Sequence, residues 1–394
     1  MTTTPLKPPG SSQRLHALDN LRALMMWLGI VLHVAVIYMV RDAPLPWRDD
    51  ARTPVADLLV AFIHSFRMPV FFILAGFFVA LLLQSRGPGG MARHRALRLG
   101  LPFALFWPPV FLASVTLAMM FVHRVVRGTW GVDPQLIPQD PYMPHGPNTM
   151  HMWFLWLLLA FSLVSAAVVR WLAGPWLAIC AKVLQRLAGS WWGPLLLTLP
   201  LVAAGWSYPN GLLRPSGSFL TAWPDWLHNG LFFIVGLALY HHQWELFALY
   251  KRRWGSYAIA ALVAFLVTGT LRELHAPQAA FAYAYNLSSW LWSFALIGLA
   301  LRVLDRRSAV LGYLADSSYW VYLVHMPLTI GFGALLYATG LPAFAKIAIN
   351  IAATTAICLA TYQLFVRLTW VSVLLNGKRH ARAPSTGVLT HASS

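Results

Sequence analysis

Charged residues, and acidic residues above all, are scarce in this sequence. Only 10% of the 394 residues are charged, against about 25% in an average soluble domain. Asp and Glu number 12 against 29 Lys and Arg, and 58% of the residues are apolar. This composition excludes an ordinary soluble enzyme and a disordered chain. The net charge of +17 is divided among loops between long apolar runs, so it indicates membrane orientation rather than nucleic-acid binding.

Motifs of metal and nucleophile chemistry are also missing. The two cysteines, Cys180 and Cys358, are far apart in apolar surroundings, which argues against a zinc site or a disulfide framework. The sequence has no GxSxG element, no P-loop and no paired-carboxylate element. We therefore expect no metal site and no bound cofactor.

Long apolar runs recur along the whole chain, and each is long enough to suggest a membrane-spanning helix. The predicted fold is an all-α integral membrane protein with a bundle of about ten transmembrane helices. The ten predicted spans lie at about 22–40, 58–83, 99–122, 151–170, 190–206, 229–245, 255–272, 286–304, 318–339 and 345–367.

The distribution of cations predicts the orientation. If both termini lie on one side, the loops of that side carry 20 of the 29 Lys and Arg, the other side carries 8, and Arg67 lies inside a span. The positive-inside rule then puts both termini in the cytoplasm. We expect a polar cytoplasmic N-terminus at 1–21, one membrane domain at 22–370 and a basic, disordered cytoplasmic tail at 371–394. The polar loop at 123–150 lies outside, where it could cover a site.

Ionisable residues inside the spans are rare and costly, so each suggests a function. In the first span, Arg22 and His33 are eleven residues apart, which puts them on one helix face about 16 Å apart along the axis. If each residue is considered by itself, Arg22 is interpreted as a positive-inside anchor and His33 as a packing residue. Their shared face favours a joint role.

Two further spans pair ionisable groups with a proline. His64 and Arg67 lie three residues apart in the second span, just before Pro69, and His325 lies two residues before Pro327 in the ninth. A proline inside a helix frees a backbone carbonyl, which protein or water must satisfy.

His151 and Trp153 open the fourth span, where the alternative role is that of an aromatic belt at the outer interface. From the depths of their spans, we expect His33 and Arg67 to meet near the middle of the bilayer.

A neutral imidazole beside a buried guanidinium suits acyl transfer. The imidazole can act as general base toward a hydroxyl, and the guanidinium can stabilise the oxyanion formed when that hydroxyl attacks an acyl carbonyl. Arg22 and the cationic cluster at 93–98 could hold the phosphates of a donor that enters from the cytoplasm. An acyl-CoA has the required arm length.

The residues of this constellation resemble those of the acyltransferase 3 family of membrane O-acyltransferases. Arg22 and His33 match the R-x10-H pattern of that family's first span, and Arg67 followed by Val70-Phe71-Phe72 resembles its second-span arginine motif. The segments LDNLRALMMWLGIVLH, FIHSFRMPVFFILAG, HMWFLWLLL and SYWVYLVHMPLTIGFGALLY look most like its glucan biosynthesis protein C group. This resemblance implies that His33 and Arg67 are catalytic. It implies substrate-binding roles for Arg22, and we assign the same role to His64, His151, Trp153 and His325.

The predicted function is therefore a multi-pass acyltransferase of the bacterial inner membrane. It would move a succinyl or acetyl group from cytoplasmic acyl-CoA (succinyl-CoA or acetyl-CoA) to hydroxyls of a periplasmic glucan or another envelope glycan. Its partners would be the acyl-CoA, the glycan acceptor and the lipid bilayer, and no nucleic acid. Two alternatives remain at this stage: an O-acetyltransferase of lipopolysaccharide or exopolysaccharide, and a transporter whose buried cations bind an anion without chemistry.

Overall fold

In the computed structural model, the described residues are 11–41, 45–137, 146–172, 174–208, 217–306 and 308–377, and throughout them the only regular secondary structure is helical. Twelve α-helices follow one another: α1 (Ser11–Ala35), α2 (Pro54–Arg95), α3 (Leu101–Arg127), α4 (Trp153–Trp171), α5 (Pro175–Gly189), α6 (Gly193–Trp206), α7 (Trp223–His241), α8 (Gln243–Glu273), α9 (Gln278–Val303), α10 (Ala309–Leu336), α11 (Ala343–Thr361) and α12 (Trp370–Asn376). Each predicted span falls on one or more of these helices, which confirms the all-helical prediction.

The described helices make this a multi-pass membrane protein. Seven helical stretches are long and apolar enough to cross a bilayer, or eight if the bent pair α5 and α6 counts as one span. One of the seven is the stretch Pro54–Arg127 of 74 residues, which is kinked at Gly87, where the backbone angles (φ 67°, ψ 173°) are not helical. It contains two of the predicted spans, while α7 is not among the seven. The count of ten spans and the side of the termini stay predictions.

Helix α1 starts earlier than hydropathy indicates. It begins at Ser11, so part of the segment expected to be a polar N-terminus is helical. The extension packs inside the bundle, because Ala17 and Leu18 are fully buried and Asn20 Nδ2 donates to the carbonyl of Leu304 at 3.0 Å. Residues 1–10 of the predicted N-terminal segment lie outside the described residues.

The first residues of the predicted disordered tail at 371–394 are also helical. Residues through Asn376 belong to α12, and the side chains of Ser372 and Leu375 are buried. Arg98 donates to the carbonyls of Val373 and Leu374, which fixes the end of this helix. Residues 378–394 lie outside the described residues, as do 138–145 of the outer loop.

Helices α2 and α7 pack backbone to backbone at two glycines. A Cβ on Gly76 would lie 2.0 Å from the carbonyl oxygen of Phe233, and a Cβ on Gly236 would lie 2.0 Å from that of Ile73. No side chain fits at such distances, so this contact depends on small residues, as close helix contacts in membranes commonly do. The crossing fixes the position of α2, the helix that carries Arg67.

A buried ion pair holds the segment between α1 and α2 in place. The Nζ of Lys346 on α11 lies 2.9 Å from each carboxylate oxygen of Asp49, and both side chains are almost fully buried. Asp49 Oδ1 also accepts from the backbone N–H of Ala51 at 2.8 Å. At the same end of the bundle, Arg124 donates to the carbonyl of Tyr337 at 3.3 Å.

Cysteine labelling can test the predicted sidedness. Cys180 is exposed and Cys358 is buried, so the variants are built on Cys180→Ser. A cysteine at Val132, which is 55% exposed, should react with an impermeant maleimide in intact cells. A cysteine at Gly89, where a Cβ meets no atom within 4 Å, should react only after the membrane is opened.

Gly89 and Val132 thus serve as controls for each other. Labelling of Gly89→Cys but not Val132→Cys in intact cells would reverse the orientation derived from the cations.

Candidate active site

Four ionisable side chains from distant parts of the chain converge inside the bundle: His33, Arg67, His151 and His325. The ring centroids of His33 and His325 lie 5.2 Å apart, and those of His151 and His325 lie 5.1 Å apart. Arg67 interacts electrostatically with all three imidazoles. His33 and Arg67 thus lie together, as expected from their depths. His151 and His325, two further predicted residues, join them.

Pro327 explains how His151 reaches this cluster. Proline has no N–H, so the carbonyl of Leu323, four residues earlier, loses its helical partner. The Nε2 of His151 lies 3.3 Å from that oxygen and 3.2 Å from the carbonyl of Tyr322. Tyr322 in turn donates its hydroxyl to the carbonyl of His151 at 2.9 Å. The proline in α10 thereby creates a docking point for the residue that precedes α4.

Backbone contacts also fix the tautomers of two histidines. Nδ1 of His325 lies 2.8 Å from the carbonyl of Tyr322 and 3.0 Å from that of Val321. A carbonyl only accepts, so this nitrogen carries the proton, as does Nε2 of His151. In each neutral ring the other nitrogen presents a lone pair. Both of these nitrogens, Nε2 of His325 and Nδ1 of His151, are buried without a hydrogen-bond partner among the described residues.

Arg67 contributes an unpaired donor to the same space. Its Nη1 is buried without a hydrogen-bond partner among the described residues, while Nη2 contacts the sulfur of Met68 at 3.7 Å. A Cβ placed on Gly29 would lie 3.0 Å from Nη1 of Arg67 and 3.5 Å from Nε2 of His325. A guanidinium donor and an imidazole lone pair therefore flank one gap, which exists because residue 29 has no side chain.

The gap belongs to a small pocket that Gly29, Arg67, Tyr322 and His325 help to line. Its remaining wall is apolar and is made by Met25, Met26, Met68, Phe71 and Phe154. Thioethers adapt to groups of different shape. The pocket thus combines a polar end, at Arg67 and His325, with a pliable apolar wall.

His33 lies near one end of its helix. It precedes the last residue of α1, Ala35, by two positions, and Gly29 lies one turn earlier on the same face. Arg22 is on the same continuous helix, as predicted, but on the far side of the pocket from His33.

Arg22 and Arg95 form a second cationic group at that far end. Arg22 lies 3.1 Å from Asp19 and its guanidinium carbon is 5.4 Å from the ring centre of Phe78. Arg95 interacts electrostatically with Arg22, and its Nε is buried without a hydrogen-bond partner among the described residues. Arg95 belongs to the cluster at 93–98 that the sequence analysis identified. Arg98 of the same cluster binds α12 instead.

Two other predicted residues lie outside the pocket. The side chain of His64 is exposed, one turn before Arg67 on α2, and it interacts electrostatically with both Arg67 and His33. Trp153 packs against Phe72, with ring centres 6.3 Å apart.

Gly29 and Tyr322 were missed by the sequence analysis. Their only signal was spacing: Gly29 precedes His33 by four residues, and Tyr322 precedes His325 by three, which places each on the face of its neighbour. In the described part of the chain, no group of three or more His, Cys, Asp or Glu residues is placed to hold a metal ion.

Comparison with known proteins identifies the family. Residues 15–363 match Acyl_transf_3, described as an acyltransferase domain. The chain belongs to the acyltransferase 3 family. The resemblance predicted from the residues is confirmed, and the protein is a membrane acyltransferase, which removes support for the transporter alternative.

Curated relatives of this acyltransferase are named glucans biosynthesis protein C. Those of Salmonella paratyphi B, Salmonella heidelberg and Salmonella agona are each 25% identical over 395 aligned residues, which cover 95% of this chain and 98% of the relative. No solved structure matches the chain.

The gap at Gly29 gives a direct test of the site. Gly29→Ala places a methyl group between Arg67 and His325, so we expect acyl transfer to fall by about 10²-fold through misplacement of the reacting groups. Alanine favours helix over glycine by about 1 kcal/mol, so lost stability does not account for such a loss. The measurement is the transfer rate of purified protein with a supplied acyl-CoA.

Gly331→Ala is the matched control. It lies on α10 like His325, and its Cβ would meet Leu117 at 3.6 Å, an ordinary contact. Equal rates for Gly29→Ala and the unmodified protein would show that the gap has no role.

Proposed function

We propose that this acyltransferase moves a succinyl or acetyl group from cytoplasmic acyl-CoA to hydroxyl groups of a periplasmic glucan or another envelope glycan, in the bacterial inner membrane. One observation carries the chemistry: a guanidinium nitrogen of Arg67 and an imidazole nitrogen of His325, both without a hydrogen-bond partner among the described residues, flank the gap at Gly29 inside the membrane domain. Each of these groups would be costly to bury without a partner, and a substrate would supply one.

The proposed step needs only groups on this chain and its two substrates. The acceptor hydroxyl attacks the carbonyl carbon of the thioester while His33 accepts its proton. The carbonyl oxygen becomes an oxyanion, which Nη1 of Arg67 stabilises by hydrogen bonding. The carbon–sulfur bond then breaks, and the coenzyme A thiolate leaves with the proton from His33. His151 and His325, whose tautomers the backbone sets, would hold the acceptor hydroxyl in place.

The donor would lie along α1. About 16 Å of helix separates Arg22 from His33, a span that the pantetheine arm of coenzyme A can cover. The phosphates would rest on Arg22 and Arg95, where Nε of Arg95 lacks an acceptor among the described residues. The thioester would lie in the Met-lined pocket below His33.

The acceptor assignment rests on the relatives. Their name concerns glucan biosynthesis, and the predicted topology puts the loop that precedes His151 on the periplasmic side. An O-acetyltransferase of lipopolysaccharide or exopolysaccharide would use the same chemistry with a different acceptor. His64 and Trp153, which lie outside the pocket, stay candidates for acceptor contacts along the entry path.

Removing the proposed base and oxyanion donor should abolish acylation. We expect His33→Ala to lower the rate by about 10²–10⁴ and loss of the Arg67 guanidinium to lower it by about 10²–10³. The double variant should lose less than the product of the two single losses, because both groups act on one transition state. The measurement is mass spectrometry of periplasmic and envelope glycans from a deletion strain that carries each variant.

The same comparison tests the function as a whole. Glycans from the deletion strain should lack an acyl group that the unmodified gene restores. A His33→Ala protein that reaches the membrane at normal level and acylates at more than about a tenth of the normal rate contradicts the assignment, because loss of a base costs more than this.

Donor binding should depend on Arg22 and Arg95. A hydrogen bond to a charged group contributes about 1.5–3 kcal/mol, so Arg22→Ala or Arg95→Ala should weaken binding of coenzyme A by about tenfold or more. The losses should shrink at higher salt, since the interaction is ionic. Calorimetry with purified protein at two salt concentrations measures both.

Arg93→Ala is the control for this pair. Arg93 is exposed on the same segment as Arg95, so its removal should change affinity little. If Arg22→Ala binds coenzyme A normally, Arg22 is a topology anchor and the phosphates rest elsewhere.

A further inference from the structure

Helix α5 does not continue the path of a membrane span. It meets α6 at an angle of 112°, and the turn depends on Gly193, where a Cβ would lie 1.6 Å from the carbonyl oxygen of Leu187. Helix α6 has 14 residues, about 21 Å of helix, whereas α5 leads away from it at a steep angle. The direction of α5 is therefore not explained by its being part of the same span as α6.

Three different faces run along α5. At about 100° per residue, one face carries Ala181, Leu184 and Ala188; Ala188 is buried and Leu184 packs on the bundle core. A second face, about 140° away, is apolar but exposed, with Trp176 at 45%, Ile179 at 62% and Val183 at 48%. This second face covers nothing within the described chain.

The third face of α5 is polar. Lys182 and Arg186 are exposed there, and Gln185 donates to Glu245 at 2.7 Å, which holds α5 beside the start of α8. The polar and the exposed apolar faces are neighbours on the helix, and both point away from the protein. A helix with this pattern is suited to lie in the plane of a membrane surface.

The exposed apolar face continues at both ends into surfaces that belong to the membrane. At the end of α4, Trp171 and Leu172 are 76% and 60% exposed, and just before α6, Trp191 is 76% exposed. Tryptophan is typical of the interface between lipid tails and headgroups. The bilayer that surrounds α4 therefore also meets α5.

We propose that α5 is an interfacial membrane anchor that lies along the bilayer surface, with Trp176, Ile179 and Val183 among the acyl chains and Lys182 and Arg186 on anionic phospholipid headgroups. The two cations border the apolar face, so their long side chains can reach the headgroup layer while the helix stays partly immersed. A second copy of this chain would bury the apolar stripe equally well. The adjoining cations would then face one another across the interface, which favours the lipid.

The native cysteine provides a probe on the apolar face. Cys180 is exposed and lies one turn after Trp176, and Lys182 lies about 200° around the helix from it. A nitroxide is attached to Cys180 in a Cys358→Ser protein, and, as the matched control, to Lys182→Cys in a protein that also carries Cys180→Ser and Cys358→Ser. Both proteins are reconstituted in nanodiscs, and collisions with oxygen and with a water-soluble nickel chelate are measured by electron paramagnetic resonance.

We expect collisions with oxygen to exceed those with nickel several-fold at position 180, and the ratio to invert at position 182. Adding phosphatidylglycerol to phosphatidylcholine should raise the oxygen-to-nickel ratio at position 180, and Lys182→Gln with Arg186→Gln should remove that rise. A ratio unaffected by phosphatidylglycerol in the unmodified protein would overturn the headgroup contact.

Two other results would overturn the anchor itself. Free access of nickel at both positions would mean that α5 lies in water. Dipolar broadening between labels at position 180, with little access of either reagent, would mean that a second copy covers this face. Neither result concerns acyl transfer, so these measurements test the anchor independently of the proposed function.

Discussion

A buried guanidinium with an unpaired nitrogen is the feature around which the membrane domain is arranged. Placing an arginine in the middle of a bilayer costs about 2.5–3.5 kcal/mol even on insertion scales, and Nη1 of Arg67 has no acceptor among the described residues. The bundle holds it there by direct contact: α2 lies backbone to backbone against α7 at Gly76 and Gly236. In the proposed function, a substrate supplies the acceptor that this nitrogen lacks.

Prolines and glycines, usually seen as helix breakers, build this site. Pro327 leaves the carbonyl of Leu323 without a helical partner, and His151 binds it. That contact brings the start of α4 against the middle of α10 and sets which ring nitrogen of His151 is free. Gly29 on α1 contributes space, because its missing side chain leaves the gap between Arg67 and His325. The imidazoles of His151 and His325 are thus oriented by backbone carbonyls rather than by a carboxylate, in keeping with the scarcity of acids in the sequence.

The two ends of the bundle carry different groups of charged residues. At one end, Arg22 and Arg95 gather positive charge beside α1. At the other, Asp49 and Lys346 form a buried pair that fastens the segment after α1 to α11. Breaking such a pair leaves an uncompensated charge, so the segment that follows His33 is held firmly. In the proposed function, an acyl donor from one side and a hydroxyl from the other would meet between them, at the pocket beside Gly29.

The sequence by itself determined the helices and the chemistry that they carry. An apolar run in a bilayer must satisfy its backbone hydrogen bonds internally, so hydropathy locates helices well, and the eleven-residue spacing put Arg22 and His33 on one face. The family was equally readable from those residues. Only the tertiary structure decided which distant groups meet: His325 with His33, His151 with the carbonyl of Leu323, and Gly29 with Arg67. It also decided that α1 begins at Ser11 and that α5 turns away from α6. These features depend on side-chain packing between helices, which hydropathy along one helix does not encode.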